Sequence, residues 1–160
     1  MIQNNKINHS TEIIPDLWIG DKRSIYDTKF LKDNKFKCII NCTKNIEIND
    51  HYKHAEYTHI MIGENSHTDL FKDNLELYKK MDDLIAYIHK FLSQNLSVLI
   101  YCKGCIQRAP TIAACYLINH GCMTIDKSID HIKTKRENVF QPRVSFYLTL
   151  EKYHDSILRN

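Results

Sequence analysis

The chain has 160 residues, of which 22 are basic and 19 acidic, so its formal net charge at pH 7 is +3. A chain of this length buries enough surface to form one stable domain without disulfides or metals. So small and evenly spread a charge argues against a nucleic-acid partner, and the apolar runs are too short to cross a membrane. We therefore expect one globular domain whose partner is neither nucleic acid nor membrane.

The first ten residues are polar and rich in asparagine, and they lack the apolar segment that directs secretion. We predict a mobile arm over residues 1–10, a folded domain over residues 11–160 and a cytoplasmic location. The six cysteines lie mostly within apolar stretches, where a reduced cysteine behaves as a small hydrophobic residue. Oligomeric state stays open, with a homodimer through the arm as one alternative.

Hydrophobic periodicity predicts strands that alternate with helices along the chain. In the first half we predict a strand over residues 13–20, a helix over residues 24–34, and strands over residues 36–41 and 57–62. In the second half we predict a helix over residues 73–92, a strand over residues 97–101 and a helix over residues 109–119. Two further helices are predicted, one from Thr124 onward and one from Pro142 to about Leu158. Gly121 is expected to end the helix over residues 109–119 in a left-handed conformation. This order predicts an α/β fold with a central mixed, largely parallel sheet and helices on both faces.

The loop after the strand at residues 97–101 contains a cysteine and, six positions later, an arginine: Cys102 and Arg108. We call residues 102–108 the signature loop. The N-terminus of the following helix presents backbone N–H groups at the positive end of the helix dipole, which favours anion binding. A thiol in this position ionises readily, so we expect Cys102 to be a thiolate at neutral pH. Arg108 can then hold two oxygens of a phosphoryl group while the sulfur attacks phosphorus.

The stretch from Val98 to Leu117 resembles the signature strand, loop and helix of the protein tyrosine phosphatase superfamily. Three further stretches resemble its dual-specificity branch, namely Ile14 to Gly20, Cys38 to Thr43, and Met123 to Phe146. The resemblance extends over about residues 12–158. It implies a phosphatase that acts on phosphorylated proteins through a phosphocysteine, with phosphotyrosine and also phosphoserine and phosphothreonine as substrates.

The resemblance also assigns roles to the residues of the signature loop. Cys102 is the nucleophile of the reaction. The phosphoryl oxygens are bound by the residues that follow it, which are Lys103, Gly104, Cys105, Ile106, Gln107 and Arg108. No metal and no cofactor is required by this mechanism.

A carboxylic acid upstream of the loop is expected to protonate the leaving group and later to activate water. The candidates are Glu64, Asp69 and Asp73. In the family an Asn-Leu pair follows the acid, and Asn74 begins such a pair at the matching distance from Asp69. We therefore choose Asp69 and keep Glu64 as the alternative.

Three positions depart from the family pattern, and each bears on the rate of the reaction. Tyr101 replaces the histidine that helps to order the loop. Cys105 stands where glycine normally makes a tight turn, so either Cys105 adopts a strained positive φ or the turn moves to Gly104. Ala109 replaces a serine or threonine whose hydroxyl assists breakdown of the phosphocysteine, and the phosphatases of regenerating liver share this alanine. The main alternative is therefore a weakly active or inactive phosphate-binding protein.

Residue type alone is compatible with two other kinds of site. Cys102 and Cys105 form a C-x-x-C pair, as in thioredoxin-like redox centres, but here the pair follows most of the predicted sheet. A zinc site built from these cysteines with His120 and Cys122 would require the intervening helix to fold back. We therefore expect neither site, and the resemblance implies a phosphorylated protein as the partner.

Overall fold

A computed structural model describes residues 8–45, 47–63 and 69–160 of the chain. Its strands are β1 (Ser10–Ile14), β2 (Leu17–Gly20), β3 (Phe36–Asn41), β4 (Glu56–His59) and β5 (Ser97–Tyr101). Its α-helices are α1 (Thr28–Asp33), α2 (Leu70–Leu92), α3 (Arg108–His120), α4 (Ile125–Lys135) and α5 (Tyr147–Leu158). The strands form one sheet in the order β1, β2, β5, β3, β4, in which β1 is antiparallel to β2 and the other pairs are parallel. The predicted α/β class with a mixed, largely parallel sheet is confirmed.

Hydrophobic side chains pack on both faces of this sheet. Ile100 of β5 lies in a large core cluster together with residues of α2, α3, α4 and α5. Its neighbour Leu99 lies in a smaller cluster on the other face, which includes Leu31 of α1. Every residue of β5 is buried, as is typical of a parallel strand with layers packed on both faces. This strand leads directly into the signature loop.

Two predicted elements of the first half are divided in the structure. The strand predicted over residues 13–20 is the hairpin of β1 and β2, because the chain reverses at Asp16, which has a φ of 71°. Aspartate enters this left-handed region more readily than most residues. The helix predicted over residues 24–34 is a 3₁₀ turn followed by α1, because the Asp27 carboxylate caps α1 by accepting from the N–H of Phe30 at 3.0 Å. β4 is also shorter than predicted and begins one residue earlier.

Two helix boundaries in the second half also differ from prediction. Gly121 is not left-handed, since its φ is −89° and the next residue, Cys122, takes a positive φ of 53°. A glycine is still needed there, because a Cβ would lie 2.5 Å from the carbonyl oxygen of Leu117. The last helix begins at Tyr147 and not at Pro142, because the intervening residues contact the signature loop.

Residues 8–10 are part of the folded domain. Arg136 Nη1 donates to the carbonyl oxygen of Asn8 at 3.0 Å, and His9 Nδ1 lies 3.0 Å from a carboxylate oxygen of Asp21. Residues 8–10 of the predicted arm therefore contact the rest of the domain, and residues 1–7 lie outside the described residues. No helix in the described part of the chain is long and apolar enough to cross a bilayer.

Candidate active site

The signature loop lies at the carboxyl end of β5, between that strand and α3. The N–H of Cys102 donates to the carbonyl oxygen of Gly20 at 3.2 Å, and the N–H of Cys42 donates to that of Tyr101 at 2.8 Å. Cys102 is only 2% exposed. Anions bind at this place in many α/β folds, because a helix N-terminus faces the end of a buried strand.

The backbone N–H groups of the loop are available to a ligand. Among the described residues, no acceptor receives a hydrogen bond from the N–H groups of Lys103 to Gln107. The carbonyl groups hold the loop instead. The Lys103 carbonyl accepts from the N–H of Lys22 at 3.2 Å, and the Ile106 carbonyl accepts from the N–H of Phe140 at 2.7 Å. A run of such N–H groups before a helix is an arrangement that binds phosphate.

Arg108 is the first residue of α3, and its guanidinium is anchored inside the protein. Nη1 donates to the carbonyl oxygen of Cys42 at 2.6 Å, and the residue is 7% exposed. Cys42 directly follows β3, which is the parallel neighbour of β5. The structure therefore places Cys102 and the anchor of the Arg108 side chain at the carboxyl ends of two adjacent strands.

Cys105 adopts the strained backbone that its position requires. Its φ is 55°, whereas Gly104 has no positive φ, so the turn has not moved to Gly104. This conformation costs on the order of 1–3 kcal/mol for a residue other than glycine. Cys105 is buried, and that burial together with the nearby Cys102 raises the pKa of its thiol well above the usual value. It is therefore a protonated thiol at neutral pH.

The other two unusual residues are packed within the protein. Tyr101 lies in the smaller core cluster, on the opposite face of the sheet from Cys102, and its hydroxyl donates to the carbonyl oxygen of Glu47 at 3.3 Å. Ala109 is fully buried in the first turn of α3. The Tyr101 hydroxyl is thus engaged on the other side of the sheet from Cys102, and Ala109 has no hydroxyl to offer the signature loop.

Asp69, the predicted general acid, is the N-cap of α2. Its Oδ1 accepts from the N–H groups of Phe71 and Lys72 at 3.1 and 3.3 Å, and its side chain is exposed. This cap explains why α2 begins at Leu70, earlier than predicted. Both capping hydrogen bonds go to Oδ1.

The other two candidate acids differ from Asp69 in their surroundings. The Asp73 carboxylate is buried against Gly63, where a Cβ would lie 2.3 Å from Oδ1. Such close packing indicates that Asp73 supports the chain near Gly63. Glu64 lies outside the described residues.

A cleft of about 180 Å³ adjoins the signature loop. Its lining residues are Lys22, Thr43, Asn45, Glu47, Tyr101 and Lys103. Two ammonium groups and one carboxylate give the cleft a net positive charge. The segment after β3, which the sequence predicted as a short polar loop, forms one side of this cleft.

The cysteines and the histidine considered above as zinc ligands do not come together. The His120 ring stacks on the His89 ring with their centroids 3.8 Å apart, at the far end of α3 from the signature loop. Cys122 is exposed, whereas Cys102 and Cys105 are buried. In the part of the chain that the structure describes, no three His, Cys, Asp or Glu side chains are placed to hold a metal ion.

Sequence reasoning missed the side-chain contacts of two residues near the loop. Gln107 was predicted to bind phosphoryl oxygens as part of the signature loop, and its side-chain amide also forms hydrogen bonds to residues 141–145. Asn74 was noted only as a family marker, but its amide joins α2 to Ser145. The sequence did offer one signal for this contact, because Asn74 is a polar residue near the apolar face of α2.

Comparison with known proteins identifies the family. The model described as dual specificity phosphatase, catalytic domain, matches residues 17–156. Human dual specificity protein phosphatase 9 is 25% identical over 146 residues, which are 91% of this chain and 36% of that protein. Protein phosphatase Slingshot homolog of Xenopus laevis is 25% identical over 148 residues, which are 92% of this chain and 20% of that protein. The chain thus spans only about a third or less of these relatives.

The fold is also that of known structures. A mouse putative dual specificity phosphatase, crystallised in complex with zinc tungstate, superposes with a TM-score of 0.82 at 17% identity. The match covers 99% of this chain and 96% of the mouse chain. Because the family model covers most of the sequence, this chain belongs to the dual specificity phosphatase catalytic-domain family.

Proposed function

We propose that this protein hydrolyses phosphate monoesters of phosphorylated proteins through a phosphocysteine on Cys102. One observation carries the proposal: Cys102, the available loop N–H groups and the anchored Arg108 converge at the ends of two adjacent parallel strands. A thiol next to an anion-binding loop and a guanidinium is suited to attack on a bound phosphoryl group. Family membership supports the same activity.

In the first step, the Cys102 sulfur attacks phosphorus, so an S–P bond forms and the P–O bond to the leaving group breaks. The Arg108 guanidinium and the N–H groups of residues 103–107 stabilise the negative charge on the phosphoryl oxygens. The leaving oxygen takes a proton from Asp69. Since Oδ1 of Asp69 caps α2, we assign this proton to Oδ2.

In the second step, Asp69 removes a proton from water, and the water oxygen attacks phosphorus. The S–P bond breaks, which releases inorganic phosphate and returns the Cys102 thiolate. A hydroxyl next to Arg108 would donate to the departing sulfur, but Ala109 has none. We therefore propose that this second step limits turnover.

The substrate class follows from the shape and charge next to the loop. The segment between Thr43 and Tyr52 is short, so it does not build a deep wall that only a phosphotyrosine could cross. A shallow site also admits phosphoserine and phosphothreonine. Lys22 and Lys103 give the adjoining cleft a positive charge that suits phosphorylated, acidic segments. The cytoplasmic location and the homodimer stay predictions.

A catalytically weak phosphate-binding protein is the second candidate function. It is favoured by the strained backbone of Cys105 and by the replacement of the usual histidine and serine by Tyr101 and Ala109. In that case the loop would bind phosphorylated proteins and release no phosphate.

Phosphate release from a small aryl phosphate distinguishes the two functions. We expect turnover by the native protein and none by Cys102→Ser, while vanadate or phosphate still binds to the variant. Undiminished activity in Cys102→Ser would eliminate the phosphocysteine mechanism. Binding of phosphate by the native protein without turnover would support the phosphate-binding alternative.

A further inference from the structure

The side-chain amide of Gln107, immediately before Arg108, has all of its donors in use. Nε2 donates to the carbonyl oxygens of Gln141 and Arg143 at 3.1 and 2.7 Å, and Oε1 accepts from the N–H of Ser145 at 3.0 Å. A primary amide has two N–H donors, and both are engaged here. The three hydrogen bonds therefore fix both the position and the orientation of this side chain.

All three partners belong to one irregular segment, residues 141–146, that precedes α5. Backbone groups outside helices and sheets need other partners, and the Gln107 amide supplies them for two carbonyls and one N–H. The N–H of Phe140 adds a hydrogen bond to the Ile106 carbonyl at 2.7 Å. The end of the signature loop and this segment therefore form one unit.

The same segment is bonded to the beginning of α2. Asn74 Nδ2 donates to the carbonyl oxygen of Ser145 at 3.1 Å, and Asn74 Oδ1 accepts from the N–H of Thr149 at 2.9 Å. Asn74 and Thr149 are buried, where a lost hydrogen bond is costly. Asp69 caps the helix that contains Asn74. Hydrogen bonds thus connect the signature loop to the helix that carries the proposed acid.

We propose that Gln107 is a positioning residue, which through Ser145 and Asn74 sets the signature loop relative to α2. Arg108 and Asp69 then act on the same phosphoryl group. This inference rests on the function proposed above, since it presumes the roles of those two residues. It assigns a task to the Gln107 side chain, which does not itself contact the substrate.

Two substitutions of nearly equal size test the proposal. Gln107→Glu places a carboxylate oxygen against two carbonyl oxygens, whereas Gln107→Met removes all polar contacts. We expect kcat with a poor leaving group to fall about tenfold or more in both variants, because small misplacements of catalytic groups have effects of this size. KM should change much less than kcat.

A pH profile distinguishes a positioning role of Gln107 from a nonspecific disturbance of the structure. In Gln107→Glu, protonation of the new carboxyl group restores one donor, so its rate relative to the native protein should rise as the pH falls from about 7.5 to 5. The relative rate of Gln107→Met should stay flat over this range. A flat ratio for both variants, or native rates in both, would overturn the proposal.

Gln94 offers a matched control, since its side chain is exposed just beyond the C-terminal end of α2 and its Nε2 donates to the Lys90 carbonyl oxygen at 2.9 Å. Gln94→Glu should leave the kinetics unchanged. Combining Gln107→Met with Asn74→Asp should lower the rate by less than the product of the single effects, because either change breaks the same connection. If the fold-losses in rate of the single variants multiply in the double variant, and all variants unfold at native-like temperatures, the connection through Asn74 is contradicted.

Phosphate affinity separates failure of this inference from failure of the proposed function. If the native protein shows no Cys102-dependent turnover, the proposed function fails. The inference is then judged by inorganic phosphate binding in the Cys102→Ser background. Adding Gln107→Glu should weaken this binding about tenfold, since a displaced Arg108 loses contacts to the anion. Unchanged affinity would overturn the inference.

Discussion

Arg108 Nη1 donates to the carbonyl oxygen of Cys42 at 2.6 Å, so the guanidinium is oriented by the end of β3 before any substrate binds. A guanidinium has five N–H donors in a rigid plane, so one arginine can bind a protein carbonyl and phosphoryl oxygens together in a fixed geometry. A lysine ammonium is a single point charge, so it cannot hold the Cys42 carbonyl and the phosphoryl oxygens together in a fixed geometry.

Arg108→Lys should therefore lower kcat/KM for an aryl phosphate by about 10²–10³-fold, the range seen when a transition-state donor is removed. Arg143→Lys is the control, because Arg143 is exposed and contacts Gln107 only through its backbone carbonyl. Normal activity in Arg108→Lys would mean that the guanidinium does not bind the reacting group.

The substitution Asp69→Asn distinguishes the two roles of this side chain, as proposed proton donor and as N-cap of α2. Asparagine caps helices as well as aspartate, so α2 should keep its first turn while the proton donor is lost. We expect the rate with poor leaving groups to fall about 10²–10⁴-fold and the basic limb of the pH profile to flatten. Asp69→Ser, which also caps, should behave in the same way.

Glu64→Gln and Asp73→Asn complete this series. If Glu64→Gln shows the loss with poor leaving groups and Asp69→Asn does not, the acid is Glu64. We expect Asp73→Asn to affect thermal stability more than the leaving-group dependence, because its carboxylate packs against Gly63. Leaving-group dependence is measured across aryl phosphates whose phenols differ in acidity.

Ala109→Ser should accelerate breakdown of the phosphocysteine. A hydroxyl that donates to the departing thiolate contributes on the order of 1.5–3 kcal/mol, which corresponds to about tenfold to a hundredfold in rate. Rapid mixing of native protein with an aryl phosphate should show a burst and then slow turnover. The variant should show faster steady turnover and no larger burst.

Ala113→Ser is the control for this change, since Ala113 is equally buried one turn further along α3. It should lower stability without changing the steady rate. An equal steady rate in Ala109→Ser and the native protein would show that hydrolysis of the phosphocysteine is not limited by the missing hydroxyl.

We predict that one of two nearby thiols, Cys42 or Cys105, forms a reversible disulfide with Cys102. Peroxide would oxidise a Cys102 thiolate to a sulfenic acid, and a second thiolate would then attack that sulfur and expel hydroxide, which takes up a proton to become water. Asn41 pairs with Tyr101 in the parallel register, so Cys42 and Cys102 directly follow paired positions of adjacent strands. The spacing of neighbouring strands in a regular sheet, about 4.8 Å, falls within the Cα range of disulfides. Cys105, three residues along the loop, is the other candidate partner.

Burial raises the pKa of both Cys42 and Cys105, so each thiol is protonated at neutral pH. The thiolate fraction of either partner increases with pH, and disulfide formation should therefore be faster at about pH 8.5 than at pH 7. Peptide mapping after mild oxidation should show a link from Cys102 to Cys42 or Cys105 that dithiothreitol reverses. Cys115→Ala is the control. The disulfide would protect Cys102 from irreversible oxidation. Irreversibly oxidised Cys102 without any such link would contradict this prediction.

Local sequence patterns determined the parts of the fold whose partners are near in the chain. β3 and β5 have the predicted bounds, because a strand buried on both faces is a compact apolar run with polar flanks. Thr124 caps α4 as predicted, since a cap needs only the N–H groups of the next turn. The spacing from Cys102 to Arg108 likewise indicated an anion site between a strand and a helix.

Tertiary structure decided what depends on residues far apart in sequence. The last helix begins at Tyr147 because the preceding segment is bonded to Gln107, 34 residues upstream of its first partner Gln141. The orientation of Arg108 depends on a carbonyl 66 residues away. Hydrophobic periodicity reports only which side of a helix or strand is buried. It carries no information about which distant backbone group a polar side chain will meet, so these contacts appear only once the chain is folded.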